Sequence, residues 1–183
     1  AADPLPRPYV VKPVNEGSSV GVHIMMEGVN TYPCAVGAWP YEADGVLVEQ
    51  FIPGREITVA VMGDRALGAL EITSERGFYD YDAKYAPGGS LHLWPAPLPP
   101  HDYGEALRLA LLAHKTLGCR GVSRADLRYD DTRPGEPARV YLLEVNTQPG
   151  MTATSLVPDI AGHLGISFPE LVTWMVENAA CDP

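Results

Sequence analysis

The chain has 183 residues, of which 46% are hydrophobic and 20% are charged, a balance typical of a globular protein rather than a disordered one. Its net charge of −10 argues against nucleic acid and against an anionic membrane as partners. The three cysteines are odd in number and far apart, so they predict neither a disulfide framework nor a zinc site, and a reducing cytoplasm fits them best.

The first elements that we predict are strands. Residues 9–12 and 20–25 have strand-like patterns, and the Gly- and Ser-rich segment between them predicts a hairpin. Residues 28–44 hold several glycines and prolines without a helical period, which predicts irregular structure. Because the chain lacks an initial Met and enters a strand within a dozen residues, we expect a fragment whose upstream portion is absent.

The middle of the chain predicts a strand and a hairpin, followed by a long loop. Residues 46–52, which are mostly apolar, predict a buried strand. Residues 56–62 and 66–73 flank Gly63-Asp64, a dipeptide typical of a hairpin turn. Residues 74–100 are rich in Gly, Pro and aromatic side chains, and structureless loops of that length often cover a functional site.

The last third of the chain predicts helices and one more strand pair. Residues 102–117 have the three-and-four spacing of an amphipathic helix, and residues 121–129 and 139–146 read as strands around a polar loop. Two short helices are expected over 155–164 and 168–178. Strand pairs followed by mixed elements predict an α+β fold with a mostly antiparallel sheet.

The most specific polar cluster lies on the last two predicted strands. Arg124 and Asp126 are two residues apart, as are Glu144 and Asn146, so each pair points to one strand face. Oxygen donors of this kind suit magnesium, and an arginine beside them can neutralise a phosphoryl or tetrahedral oxyanion. A solvated, salt-bridged hairpin explains the spacing equally well, although the Gly-bearing polar loop 146–152 favours anion binding.

Three weaker patterns are each open to a plainer interpretation. Lys12 beside the Gly/Ser turn 17–19 suits phosphate binding, or is a surface lysine on an ordinary hairpin. Lys84 lies in a segment, 78–85, where aromatic and charged residues alternate, which suits a lid or a self-packed surface loop. Residues 49–52 present an acid and backbone groups to a nucleotide's base and ribose, or form a plain sheet strand.

Nine short motifs, taken in order, resemble the D-alanine–D-alanine ligase family of the ATP-grasp superfamily over nearly the whole chain. The motifs are residues 11–13 (VKP), 16–21 (EGSSVG), 49–56 (EQFIPGRE), 78–85 (FYDYDAKY), 118–121 (GCRG), 124–126 (RAD), 143–146 (LEVN), 149–152 (PGMT) and 155–158 (SLVP). The resemblance implies an α+β ATP-grasp fold, with ATP held between two antiparallel sheets. Residues 1–53 would be part of the central lobe and residues 54–183 the C-terminal lobe, with the N-terminal domain absent.

The resemblance implies a set of nucleotide and metal contacts. Lys12 and Lys84 would contact the phosphates of ATP, and Glu56 would bind the ribose. Adenine would be held by Glu49, Gln50, Phe51 and Ile52, where Gln50 stands in place of a lysine found in many members. Two magnesium ions, or manganese in their place, would be bound by Asp126, Glu144 and Asn146.

It also implies the residues that act on the substrate. Ser18 and Tyr85 would orient the substrate, and Arg124 with the Gly150 backbone N–H would stabilise the tetrahedral oxyanion. Ser155 would take the carboxylate of the second alanine.

The implied activity is ligation of two D-alanines through D-alanyl phosphate, for peptidoglycan precursors, in the cytoplasm. A homodimer is implied for the full-length enzyme. Two alternatives remain open: an ATP-grasp ligase with an acceptor such as D-lactate, and a nucleotide-binding module without turnover.

Overall fold

The described residues divide into two compact units, one formed by the residues up to Ile52 and the other by the residues from Pro53 onward. The structure is a computed structural model, and it describes residues 3–16, 19–28, 45–73, 91–152 and 154–180. No helix within these ranges is long and apolar enough to cross a membrane. The identity of the units as a central and a C-terminal lobe remains a prediction.

The described part of the first unit forms a three-stranded antiparallel sheet. Its strands are β1 (Tyr9–Pro13), β2 (His23–Met25) and β3 (Val46–Gln50), and β1 lies in the middle. The predicted hairpin between the first two strands is confirmed by their antiparallel register, in which Tyr9 lies opposite Met25. The predicted irregular segment 28–44 lies, apart from Gly28, outside the described residues.

The core of the first unit is small. Tyr9 and Val11 on β1 and Met25 on β2 are almost fully buried, because alternate strand residues face the same side. Two details of the prediction are wrong. β2 begins later than expected, since residues 19–21 form a turn with positive φ at its first and last residues. β3 is exposed or half-buried along its length, not buried.

The second unit contains a five-stranded sheet in which every neighbouring pair of strands is antiparallel. The strands are β4 (Arg55–Met62), β5 (Arg65–Thr73), β6 (Leu91–Leu93), β7 (Val122–Asp130) and β8 (Arg139–Asn146), in the order β6-β5-β4-β7-β8. The hairpin predicted at Gly63-Asp64 is confirmed. β6 is a correction to the predicted loop 74–100, of which residues 74–90 lie outside the described part of the chain.

The described residues of the second unit also form three helices: α1 (Pro100–Thr116), α2 (Leu156–His163) and α3 (Phe168–Glu177). Prolines at the start of α1 fix φ near its helical value, and Gly118 follows the helix with a φ of 66°, the left-handed conformation that ends many helices. A capping box between Ser167 and Glu170 begins α3. The predicted α+β class and mostly antiparallel sheet are therefore confirmed.

Helix α1 covers one face of the five-stranded sheet. It packs across β4, β5, β7 and β8, and its Ala106 and Ala110 join a core that includes Ile57, Val59 and Leu127. Strand residues alternate between faces, so the residues between these apolar positions point to the opposite face. Helix α2 packs against β4 and β5. The charged residues of β7 therefore lie on the face away from α1.

Candidate functional site

The polar cluster predicted on the last two strands is assembled on one sheet face. In the antiparallel register of β7 and β8, Arg124 lies opposite Asn146 and Asp126 lies opposite Glu144. Directly opposed residues have Cβ atoms roughly 4.5–5.5 Å apart, so these four side chains are neighbours. A β-bulge follows the Asp126–Glu144 pair and shifts the register on its far side. The predicted convergence of the four side chains is confirmed.

Asp126 is the centre of the cluster, because it accepts hydrogen bonds from three strands. Its Oδ1 accepts from Arg124 Nε at 2.8 Å and from the Thr58 hydroxyl at 2.9 Å. Its Oδ2 accepts from Arg124 Nη2 at 2.7 Å and from Asn146 Nδ2 at 3.0 Å. Two donors on each oxygen hold the carboxylate in one orientation, and its bidentate contact does the same for the Arg124 guanidinium.

Thr58 is a site residue that the sequence analysis missed. It is fully buried on β4, directly opposite Asp126, and its hydroxyl lies 2.9 Å from the carboxylate and 3.3 Å from the Ala125 carbonyl. In sequence it stands among valines and alanines and reads as an ordinary β-branched strand residue. Strand parity was the available signal, since Thr58 alternates with the core residues Ile57 and Val59.

A second charged pair lies beside this cluster. Arg128 is two residues beyond Asp126 on β7 and stands opposite Glu56 on β4. Its Nη1 is 4.0 Å from the Glu56 carboxylate, and its Nη2 donates to the Gly54 carbonyl at 2.6 Å. Burial lowers the pKa of Arg128, and the carboxylate of Glu56 offsets part of that effect.

Gly150 and Ser155 are also neighbours, after β8 and at the start of α2. A Cβ added to Gly150 would lie 2.8 Å from the Ser155 hydroxyl oxygen. That hydroxyl accepts the Thr152 backbone N–H at 2.9 Å and lies 2.8 Å from the Thr152 hydroxyl. The structure therefore places together the two residues that the resemblance assigns to the oxyanion and to the substrate carboxylate.

In the first unit, Lys12 and Glu49 form an ion pair. The Lys12 ammonium is 2.7 Å from the Glu49 carboxylate, and both side chains are partly exposed. Val10, two residues before Lys12, lies opposite Glu49 in the register, so both charged side chains share one face of this sheet. A partly exposed pair of this kind contributes little to stability, so both groups are available for a ligand at low energetic cost.

The remaining predicted adenine contacts follow Glu49 along the chain. Gln50 is exposed at the end of β3. The Phe51 backbone N–H donates to the Pro8 carbonyl at 3.3 Å, and Phe51 and Ile52 are half-buried. Three predicted site residues lie outside the described part of the chain: Ser18, Lys84 and Tyr85.

The carboxylate and amide side chains of the cluster on β7 and β8 are oxygen donors, which suit magnesium or manganese better than zinc or copper. Among the described residues, no group of three His, Cys, Asp or Glu side chains is placed to hold a metal. The predicted set has two carboxylates and one amide, which are hard oxygen donors. A half-turn of the Asn146 amide would end its hydrogen bond to Asp126 and present its own oxygen, so the residues fit a cation.

The face under α1 carries a separate charged network. Arg55 donates to Glu71 through Nε at 2.8 Å, and its guanidinium lies 5.5 Å from the centre of the Tyr129 ring. The Tyr129 hydroxyl donates to Asp102 at 2.6 Å. Burial, with the negative charge of Asp102, raises the pKa of Tyr129 to about 12. This network connects β4, β5, β7 and α1 through contacts within the protein.

Comparisons with known proteins agree with the family resemblance of the motifs. Residues 2–177 match the family model described as the D-ala D-ala ligase C-terminus. A D-alanine–D-alanine ligase of Paramagnetospirillum magneticum is 72% identical over 180 residues, covering 98% of this chain and 58% of that protein. The Rhodospirillum rubrum ligase is 61% identical over 176 residues, covering 96% of this chain and 56% of that protein.

A solved structure supports the fold. The D-alanine–D-alanine ligase of Bacillus anthracis, crystallised with ATP, matches with a TM-score of 0.73 at 28% identity, covering 94% of this chain and 52% of that one. The ATP-grasp fold implied by the motifs is thereby confirmed. The chain spans a little over half the length of these relatives. Because the match extends over almost all of its residues, the chain belongs to the family of the D-Ala–D-Ala ligase C-terminus.

Proposed function

We propose that this chain is the ATP-binding portion of a D-alanine–D-alanine ligase, which joins two D-alanines at the expense of ATP for peptidoglycan precursors. The observation that carries the proposal is the convergence of Arg124, Asp126, Glu144 and Asn146 on one sheet face. A carboxylate is a poor electrophile, so the carboxylate of the first D-alanine takes the γ-phosphoryl group of ATP and ADP is released. The amine of the second D-alanine then attacks the acyl phosphate, and phosphate leaves. Negative charge builds on phosphoryl and then on acyl oxygens, which this cluster is suited to stabilise.

Arg124 is the group proposed to stabilise the oxyanion. Its guanidinium is fixed by two hydrogen bonds to Asp126, so it need not reorganise when charge develops. The Gly150 backbone N–H is proposed as the second donor to the same oxyanion, and Ser155 as the partner of the substrate carboxylate. The closeness of Gly150 and Ser155 supports these two roles.

Asp126, Glu144 and Asn146 are the residues proposed to hold magnesium. When bound, the ion supplies positive charge next to phosphate oxygens. Glu144 is exposed, while Asp126 is mostly covered and fixed by its donors, so one carboxylate can adjust to the ion and the other keeps its position.

The nucleotide contacts are proposed separately for each unit. In the first unit, Lys12 would contact phosphates and residues 49–52 would hold adenine. The Lys12–Glu49 pair supports this, because a partly exposed lysine can exchange one anionic partner for another at low cost. In the second unit, Glu56 would bind the ribose. Lys84 is proposed for the γ-phosphate, and Ser18 with Tyr85 for orienting D-alanine. The intact ligase is proposed to be a homodimer.

The test is dipeptide formation from D-alanine and magnesium-ATP by the intact ligase that carries this chain. The Arg124→Ala variant is expected to lose roughly 10²-fold in kcat, as for the loss of one oxyanion donor, with the KM for ATP changed less than about threefold. The matched control is Arg108→Ala, which removes an exposed arginine of α1 that pairs with Glu105.

Three results would count against the proposal. An unchanged kcat for Arg124→Ala would remove its oxyanion role. Faster formation of an ester from D-lactate than of the dipeptide would replace the proposed acceptor. Binding of magnesium-ATP without formation of any product would indicate a nucleotide-binding module rather than a ligase.

A further inference from the structure

The proposed function assigns Glu56 to the ribose but gives no role to Arg128, which faces it on the sheet face away from α1 (the open face). Arg128 continues the alternation of Arg124 and Asp126 along β7, so it points away from α1. It stands directly opposite Glu56, and the two side chains are only 19% and 26% exposed. Burying charged side chains to that extent costs free energy unless they are paired, so the contact between Arg128 and Glu56 needs an explanation.

The backbone that carries Glu56 is fixed two residues earlier, at Gly54. A Cβ on Gly54 would lie 2.1 Å from the Tyr129 carbonyl oxygen, and the φ of Gly54 is 94°, so only glycine fits there. Arg128 donates to the carbonyl of the same Gly54 at 2.6 Å. One guanidinium therefore holds the backbone before Glu56 and faces the carboxylate of Glu56.

The distance between the two charges decides what kind of contact they make. Arg128 Nη1 and Glu56 Oε2 are 4.0 Å apart, beyond hydrogen-bonding distance, so the contact is an ion pair that acts through charge. A planar guanidinium anchored at one end by a carbonyl gives that charge a fixed position, which the single flexible ammonium of a lysine would not. The fixed charge of Arg128 therefore favours one orientation of the Glu56 carboxylate.

We propose that Arg128 is a positioning residue that orients the Glu56 carboxylate toward the hydroxyl groups of the nucleotide ribose. This inference rests on the proposed function, in which Glu56 binds the ribose. A carboxylate held in one direction binds a hydroxyl with less loss of side-chain entropy than a mobile one. Arg128 would therefore set the preference for a ribonucleotide over a deoxyribonucleotide, and not the rate of the chemical step.

Calorimetric binding of ADP, 2′-deoxyADP and 3′-deoxyADP to the intact ligase, without D-alanine, tests this inference. The wild type is expected to bind ADP about tenfold or more tightly than at least one deoxy analogue, the usual effect of losing a hydrogen bond to a charged group. Glu56→Gln should abolish that preference. Arg128→Met should reduce it to about threefold or less, and Arg128→Lys should give an intermediate value.

Arg55→Met is the matched control for a general loosening of β4. Arg55 is the neighbour of Glu56 in sequence but lies on the other sheet face, where it pairs with Glu71. This variant should lower the melting temperature and leave the ratio of ADP to deoxyADP affinity unchanged. A purely structural role for Arg128 would make its variants behave in the same way, with lower stability and an unchanged ratio.

The inference is overturned if Arg128→Met keeps the wild-type ratio while Glu56→Gln loses it. Should Arg128→Met fail to fold, an unchanged ratio in Arg128→Lys overturns it equally. A wild type without any ribose preference overturns both the role of Glu56 and that of Arg128. If dipeptide formation fails but the ratio falls in Arg128→Met as expected, the inference stands and the ligase proposal is the one that fails.

Discussion

The two faces of the five-stranded sheet carry the same kind of ion pair in two different settings. Under α1, Arg55 makes two hydrogen bonds to Glu71 and lies over the Tyr129 ring. On the other face, Arg124 makes two hydrogen bonds to Asp126. Geometry alone does not distinguish the pairs, since both are bidentate contacts between an arginine and a mostly covered carboxylate.

The surroundings of the two carboxylates differ. On the face under α1 (the covered face), Glu71 is paired with the side chain of Arg55. The Arg55 guanidinium also donates to the Pro97 carbonyl, so these contacts connect parts of the protein with one another. Asp126 gathers donors from β4, β7 and β8, and a second carboxylate, Glu144, stands directly opposite. An ion pair by itself is weak support for a site. Convergence of several strands on one acid, next to another acid, is the stronger indication.

The largest expected effect comes from the acids of the open face. Glu144→Gln should lower dipeptide formation by roughly 10³-fold or more, because a carboxylate proposed to hold the metal loses its charge. Glu144 is exposed, so the free energy of unfolding should hardly change. Steady-state rates of the intact ligase at saturating magnesium, together with a urea titration, measure both quantities.

Asp126→Asn should give a similar loss of rate with a moderate loss of stability, since Arg124 then keeps only a neutral partner. A rate within tenfold of wild type for either variant would contradict the proposed metal-binding role. The acids of the two sheet faces would then be equally unimportant for the reaction.

The complementary substitution removes a charge from the ion pair under α1. Glu71→Gln removes the charge that faces Arg55 and should lower the free energy of unfolding by about 2–3 kcal/mol, somewhat less than for a fully buried pair because Arg55 is partly exposed. The rate per folded molecule should stay within about twofold of wild type. Urea unfolding measures the stability. A large loss of rate at unchanged stability would show that the covered face also takes part in catalysis.

Thr58→Val is a smaller change on the open face. It keeps the size of the side chain and removes the hydroxyl that donates to Asp126, so about 1 kcal/mol should be lost, from stability or from the transition state. Thr58→Ser keeps the donor and should retain the wild-type kcat. Equal kcat values for wild type, Thr58→Val and Thr58→Ser would show that Asp126 is oriented well enough by Arg124 and Asn146.

The sequence allowed good prediction wherever a local signal existed. Gly63-Asp64 predicts a hairpin by its turn chemistry, and the spacing of Arg124 and Asp126 predicts a shared face by strand parity. β6 could not be predicted, because three residues are too few for an alternating pattern. Register is a tertiary property, so the partners of Arg128 across the sheet were also beyond the sequence.

Thr58 is the instructive failure among the site residues. Its identity suits a strand interior as well as a donor to a carboxylate, and only the register with Asp126 separates the two roles. The roles of Ser18, Lys84 and Tyr85 remain predictions, as these residues lie outside the described part of the chain.

The smallest expected effect is a pH dependence that belongs to the covered face. His114 on α1 is almost fully buried, and its Nδ1 lies 2.7 Å from the Ser123 hydroxyl. Burial, with a smaller effect of Lys115, lowers the pKa of His114 below its usual 6.5. Between the lowered value and 6.5 the unfolded chain binds more protons than the folded one. The contribution of His114 is therefore complete above pH 6.5 and is lost as the pH falls through its folded pKa.

Urea unfolding between pH 5 and 7.5 measures this dependence. The free energy of unfolding should fall below pH 6.5 with a slope of at most about 1.4 kcal/mol per pH unit, the limit for one proton. His114→Gln should flatten the slope, and His101→Gln, at an exposed position, should not. Hydrogen bonds lower the pKa values of Asp102 and Asp130. These groups therefore affect the free energy of unfolding only near and below their usual pKa of 3.8, outside the pH range of this measurement. An unchanged slope in His114→Gln would mean that the acid sensitivity of the protein arises from other groups. Protonation of titratable groups would then cost the covered face no more than it costs the open face.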